Sequence, residues 1–174
     1  MLCRAAWDAG AQGVLPVPAL SGHVIDQTAT LGSAQQTLET KLAAFEASNG
    51  AQVVVLVVPT TQPEDIASYA NRVSNVWKIG RRGIGDGVLL IVAKDDRKLR
   101  IEVAKSLEGA IPDLAAKQII DEALTPRFKQ GDYAAGIDAG IDQILALIKG
   151  EALPPPTARA QSSSVFGGDF QWQN

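Results

Sequence analysis

The sequence predicts an α/β domain, a three-layer α/β/α sandwich with helices on both faces of a small mixed sheet. Three observations carry that expectation. Val53-Val54-Val55-Leu56-Val57-Val58 is an unbroken apolar, mostly β-branched run, the mark of a strand covered on both faces. A second such run, Val88 to Ala93, follows an amphipathic helical stripe, so the two buried strands are expected to be parallel and joined by a right-handed crossover. Leu99, Ile101 and Val103 then alternate with Arg100, Glu102 and Ala104, the pattern of an antiparallel, half-exposed edge strand.

The elements follow in order. Residues 1–21 read as a flexible arm or the remnant of a secretory signal: an Ala-rich start merges into Val14-Leu15-Pro16-Val17-Pro18, where two prolines deny a helix. Residues 22–150 form the domain. Val24-Ile25-Asp26-Gln27 leads into the first helix, with Asp26 capping the turn. That helix, about 33–48, opens on Ser33 and Gln36 spaced as a capping box. It shows Leu38, Leu42 and Phe45 on one face and stops at Asn49-Gly50. Pro63 opens the second helix, whose stripe is Ile66, Tyr69, Ala70, Val73, Val76 and Trp77. A Gly-rich loop from Arg81 to Gly87 precedes the second buried strand. Pro112-Asp113 starts a third helix that runs to about Leu124, where Thr125-Pro126 breaks it. Asp132 begins a fourth, with Tyr133, Ile137, Ile141, Ile144, Leu145 and Ile148 on its inner face. Residues 151–174, rich in Pro, Ser, Gly and Gln, read as a disordered linker toward a membrane segment beyond them.

Composition narrows the chemistry. Hydrophobic residues make up 46% and charged residues 20%, the balance of an ordinary globular protein. The net charge of -3, with no basic block, leaves no nucleic-acid footprint. A single Cys and a single His, Cys3 and His23, exclude a disulfide framework and argue against a Cys-His or Ser-His-Asp enzyme and a zinc site. The glycine loop lacks both G-x-G-x-x-G and the P-loop signature, so no nucleotide is expected; haem is not expected either. No stretch reaches the length of a membrane span.

Carboxylates are the remaining resource. Asp86 precedes the second buried strand, and the loop after the edge strand returns to the same end of the sheet with Lys105, Ser106, Glu108 and Asp113. Asp86, Glu108 and Asp113 are therefore the expected oxygen ligands of Ca²⁺ or Mg²⁺, hard cations that take carboxylates and carbonyls. A plainer reading stands beside this one: Asp86 bonds its own loop, and Asp113 is a first-turn helix residue. A second acidic patch, Asp95-Asp96 with Thr60 and Thr61, is expected at the opposite end. There, at the carboxyl ends of parallel strands, open α/β sheets bind ligands, and the alternative is a solvated turn.

Several segments resemble the TPM domain family. They are Val24-Ile25-Asp26, Tyr69-Ala70-Asn71-Arg72, Trp77-Lys78-Ile79-Gly80, Asp86 to Ala93, Asp96-Arg97-Lys98 with Arg100-Ile101-Glu102, Leu107-Glu108-Gly109, Pro112-Asp113, and Pro126 through Gly131-Asp132-Tyr133 to Gly136-Ile137. The resemblance covers about residues 22–149. It implies an α/β/α sandwich, a periplasmic or other extracytoplasmic location with membrane attachment, calcium binding in some members and acid phosphatase activity in plant relatives. One departure is that Ala104-Lys105-Ser106 stands where the family has glycine-aromatic-glycine, which weakens the case for close carbonyl approach to a cation. The leading expectation is a membrane-tethered binding or assembly module with an acidic cation site and a protein partner, a membrane protein being one candidate. Two alternatives remain open. One is a metal-assisted phosphatase, with Glu108 as base and Lys105 or Arg81 on the phosphate; the other is a purely structural domain.

Overall fold

The computed structural model describes residues 13–150. The expectations for residues 1–12 and for the linker at 151–174 lie outside the described residues. The elements are β1 (Val24–Asp26), α1 (Ala34–Asn49), β2 (Gln52–Val58), α2 (Ile66–Trp77), β3 (Gly87–Ala93), β4 (Lys98–Val103), α3 (Asp113–Ile119), α4 (Thr125–Lys129) and α5 (Tyr133–Ile148). A short 3-10 turn, Lys105–Leu107, follows β4, and a π turn, Ile120–Leu124, joins α3 to α4.

The sheet order is β1-β2-β3-β4. β2 and β3 pair in parallel with Val53 beside Val88 and Val57 beside Val92, and β4 closes the edge antiparallel to β3. The sheet thus contains one parallel strand more than the sequence implies. Val24–Asp26 is not merely the approach to α1 but a strand against β2, with Val24 beside Val55. Three residues are too few to show a strand period, so only pairing reveals it.

Alternation along β2 and β3 divides the core. Val53, Val55, Val57, Val88, Leu90 and Val92 face α1, α3, the π turn, α4 and α5. Val54, Leu56, Val58, Leu89, Ile91 and Ala93 face α2. β1, β2 and β3 stand in sequence order while α1 and α2 lie on opposite faces. The two crossovers therefore have opposite hands, and the usual right-handed rule holds for only one of them.

Local chemistry sets the element ends, with some departures from expectation. Ser33 adopts helical dihedrals and makes no side-chain cap, so the capping box does not form. Gly50, at φ 94°, supplies the left-handed stop that a Cβ would penalise. α2 starts at Ile66 rather than Pro63, capped by Asp65, whose carboxylate accepts from the Ser68 amide at 2.9 Å. Thr125-Pro126 does not end the helical path. The π turn widens ahead of it, and Pro126 occupies the first turn of α4, where a missing N–H is harmless. Bare glycines let α5 pack closely: a Cβ on Gly136 would lie 2.6 Å from the Phe128 ring, and one on Gly140 2.7 Å from Leu124.

The thinner layer is completed by the arm. Leu15 and Val17 pack on the α2 side of the core. Arg72 donates to the Leu15 carbonyl at 2.7 Å, and the Trp77 indole donates to the Pro18 carbonyl at 2.7 Å. The part of the arm that is described is thus docked. Among the described residues no helix is long and apolar enough to cross a membrane.

Candidate functional site

The two ends of the sheet hold different chemistry. At the amino edge, Asp86 immediately precedes β3 and is 4% exposed. Its carboxylate accepts from the Arg81 amide at 2.8 Å and from Arg81 Nε at 2.8 Å, and it pairs with Arg81 Nη2 at 2.6 Å. Burial by itself would raise its pKa, but these bonds hold it below the ordinary carboxylate value. The Gln52 amide donates to the Asp86 carbonyl at 3.0 Å, and the Gly80 amide donates to Gln52 Oε1 at 2.8 Å. The loop is packed backbone on backbone: a Cβ on Gly87 would sit 2.4 Å from the Ile79 carbonyl oxygen. Ser106 Oγ donates to the Gly85 carbonyl at 2.8 Å and ties the loop after β4 to this one.

The loops therefore meet as the sequence implies, but the carboxylates do not. Glu108 and Asp113 are exposed, Asp113 as the first residue of α3, and Lys105 is exposed in the 3-10 turn. Among the described residues no group of three or more His, Cys, Asp or Glu side chains is arranged to hold a metal ion. The expected Ca²⁺ or Mg²⁺ ligands Asp86, Glu108 and Asp113 thus do not fit a cation as they stand, because the Asp86 oxygens are occupied by Arg81. The same pairing engages Arg81, and Glu108 and Lys105 are both exposed to solvent.

The lone histidine is also engaged. His23 Nδ1 lies 2.8 Å from Glu39 Oε1 and Nε2 lies against the Glu46 carboxylate, while the amides of His23 and Val24 donate to Glu39 at 2.8 Å. Burial works against its charge, yet the bonds to Glu46 and Glu39 leave its pKa above the usual histidine value. His23 pins the start of β1 to α1.

The carboxyl edge is built from the loops that follow β1, β2 and β3. Asp26, at the end of β1, accepts from the Thr28 amide at 2.9 Å, the Thr28 hydroxyl at 2.7 Å and the Leu31 amide at 2.8 Å. Burial pushes its pKa up, and the Leu31 and Thr28 bonds outweigh that and lower it. After β2, the Thr60 hydroxyl donates to Asp96 at 2.8 Å and the Thr61 amide at 2.9 Å. Both carboxylates are satisfied by neutral donors. Lys94, the first residue past β3, extends the ladder by donating its amide to the Val58 carbonyl at 2.9 Å.

Lys94 is half-buried, and its Nζ reaches the Thr30 hydroxyl at 3.2 Å and stands 5.2 Å above the Tyr133 ring centre. Thr30 is itself bonded to Thr28 at 2.6 Å. Lys94 forms no ion pair among the described residues. An ammonium has three N–H donors, and here one hydroxyl and one ring face receive it. The exposed Asp95 lies next along the chain. Chemically this is a cation lacking an anionic oxygen, beside hydroxyls that donate or accept.

The sequence points to this edge through Asp95, Asp96, Thr60 and Thr61, and bonds from Thr60 and Thr61 to Asp96 bring three of them together. It does not single out Lys94, Thr28, Thr30 or Tyr133. The signal for Lys94 is positional: the first polar residue after a buried parallel strand stands where such sheets bind ligands.

Fold and edge together define an open, mixed α/β domain of the three-layer class. Residues 24–147 match the family model of the TPM domain, and the chain belongs to that family. Three solution structures share the fold. The N-terminal domain of a protein from P. gingivalis aligns with a TM-score of 0.70 at 24% identity, over 77% of this chain and 89% of that one. The BA42 protein of the psychrophilic bacterium Bizionia argentinensis gives 0.59 at 20% identity, over 70% and 88%. The N-terminal domain of the cg2496 protein from Corynebacterium glutamicum gives 0.57 at 14% identity, over 80% and 87%. No curated protein matches the sequence.

Proposed function

We propose that this TPM domain is a binding module, extracytoplasmic and membrane-associated, whose carboxyl edge holds an anionic group of its ligand, a carboxylate or a phosphate. The observation that carries the reading is Lys94, a half-buried ammonium at the end of a central strand with no carboxylate partner among the described residues. Thr28 and Thr30 supply hydroxyls beside it. The setting outside the cytoplasm rests on the resemblance to the family. A cation at Asp86, Glu108 and Asp113 is the less favoured reading, since it requires Arg81 to leave Asp86.

The test is an amide-shift titration of the labelled protein with inorganic phosphate and then with p-nitrophenyl phosphate. Shifts centred on Thr30, Lys94 and Tyr133, absent in Lys94→Met, support the module. No shift at this edge sinks it. Release of p-nitrophenol that depends on Lys94 would move the reading to a phosphatase whose phosphate-binding lysine is Lys94, not Lys105.

A further inference from the structure

The side of the sheet, as distinct from its two ends, presents a strand that can pair again. β4 is the outermost strand beyond β3, and β1, on the other side, offers a ladder only three residues long. The pairing with β3 fixes which way the β4 backbone faces. The Ala104 amide donates to the Gly87 carbonyl at 2.9 Å. Antiparallel bonding alternates, so Glu102, Arg100 and Lys98 turn their amides and carbonyls to β3, while those of Val103, Ile101 and Leu99 point off the sheet. Among the described residues nothing hydrogen-bonds these outward groups. A row of unpaired backbone groups is a template for another strand.

Charges on an edge strand ordinarily keep other strands away. On β4 their order has the reverse effect for one partner, a second copy of this chain. The strand reads Leu99-Arg100-Ile101-Glu102-Val103, with opposite charges placed symmetrically about Ile101. A two-fold axis at Ile101 sets an antiparallel copy with Ile101 beside Ile101, Leu99 beside Val103 and, on both sides of the axis, Arg100 beside Glu102. The Ile101 groups then exchange both backbone bonds. Arg100 and Glu102 fall in the non-hydrogen-bonded pairs, where facing side chains stand closest, and Lys98 falls beside the neutral Ala104. A slip of two residues sets Arg100 against Arg100 in one direction and Glu102 against Glu102 in the other, so like charges reject the neighbouring registers.

Both side chains are open to such a contact. Arg100 is 38% and Glu102 24% exposed, and within one chain Arg100 Nε lies 2.8 Å from the Glu102 carboxylate. They share the α2 face of the sheet with Ile91 and Leu89, their partners on β3, so the four charges of a dimer would form one cluster. We propose that two copies of this chain pair through β4 in the register centred on Ile101, joining two four-stranded sheets into one, with Arg100 and Glu102 selecting the partner. The two-fold axis leaves the two carboxyl edges facing opposite ways. The proposal goes beyond the ligand reading and does not rest on it.

The experiment is sedimentation equilibrium of the 174-residue chain from about 10 μM to 1 mM, with amide hydrogen exchange at both extremes. The expected result is a mass rising from one chain toward two, with exchange of the Ile101 and Val103 amides slowing as the dimer forms. Arg100→Glu and Glu102→Arg should each dimerise roughly tenfold more weakly. Mixed, these two variants should recover wild-type association, because one presents two carboxylates and the other two cations. The exchange variant Arg100→Glu/Glu102→Arg retains an opposite pair within the chain and across the axis, and should associate as the wild type does. Unchanged melting should show that the variants fold. A single-chain mass at every concentration overturns the proposal. Dimerisation that the single variants leave undiminished, that protects neither amide, or that the exchange variant loses overturns it equally, because the contact would then lie elsewhere on the chain.

Discussion

The two ends of the sheet solve the same electrostatic problem differently. Each places a carboxylate beside a strand terminus, and Asp86 at one end and Asp26 at the other are both held below the ordinary carboxylate pKa. At the amino edge, Asp86 meets a guanidinium, so charge cancels inside the loop. At the carboxyl edge, Asp26 and Asp96 meet amides and hydroxyls, so charge does not cancel, and Lys94 stands nearby with a hydroxyl and a ring. A closed ion pair is a fixture of the fold. A cation satisfied only in part leaves donors for something else, which is why the second end is the better ligand site even though the first holds the more deeply buried acid.

The largest effect should come from the closed end. Gly87→Ala places a methyl group against the Ile79 carbonyl, at a distance no Cβ tolerates, and backbone must move. We expect a loss of about 3 kcal/mol in chemical denaturation, near the upper range for overpacking. Asp86→Ala should follow, at about 2 kcal/mol, because Arg81 loses its acceptor and the loop its anchor. If Asp86→Ala proves no more costly than an exposed substitution, the amino edge is not the fixture described.

The next effect sharpens the contrast by opening the closed end. In Arg81→Met the buried Asp86 has no guanidinium, so its pKa should rise toward or above the ordinary value. Melting in Ca²⁺ should move upward more in this variant than in the wild type, where Arg81 holds the site. Equal response in both would remove Asp86 from any cation site.

His23 gives a smaller, pH-dependent effect. Its folded pKa is raised above 6.5, so its clamp contributes fully below pH 6.5 and is lost as pH rises through the folded value. Glu39, with a lowered pKa, contributes above its unfolded value and loses that contribution as pH falls through the folded one. Denaturation across the neutral range should therefore show a decline toward alkaline pH that His23→Gln flattens. A parallel decline in both proteins would assign it to other groups. The smallest effect on stability is expected for Lys94→Met, within roughly 0.5 kcal/mol, alongside complete loss of any phosphate response. That separation of stability from binding is what the comparison of edges requires.

Much of this architecture can be read from local pattern. The runs at Val53 and Val88 specify buried strands because every side chain in them needs cover. The stripes of α1, α2 and α5 fix which face turns inward. The Arg81–Asp86 pair was also within reach of the sequence, since the partners are five residues apart in one glycine-rich loop. Val76 shows the limit of such patterns: it fits the periodicity of α2, yet it lies beyond the edge of the layer that would cover it.

Assembly decided the rest. β1 is a strand only because β2 offers a partner ladder. The opposite hands of the two crossovers follow from α1 and α2 covering different faces, which no single helix encodes. Lys94 meets Thr30 across 64 residues of chain and Tyr133 from another layer. Sequence pattern records which surfaces must be removed from water, a requirement each segment states for itself. Whether a cation finds a carboxylate depends on which distant loops the packed sheet brings to the same edge, and only the folded chain settles that.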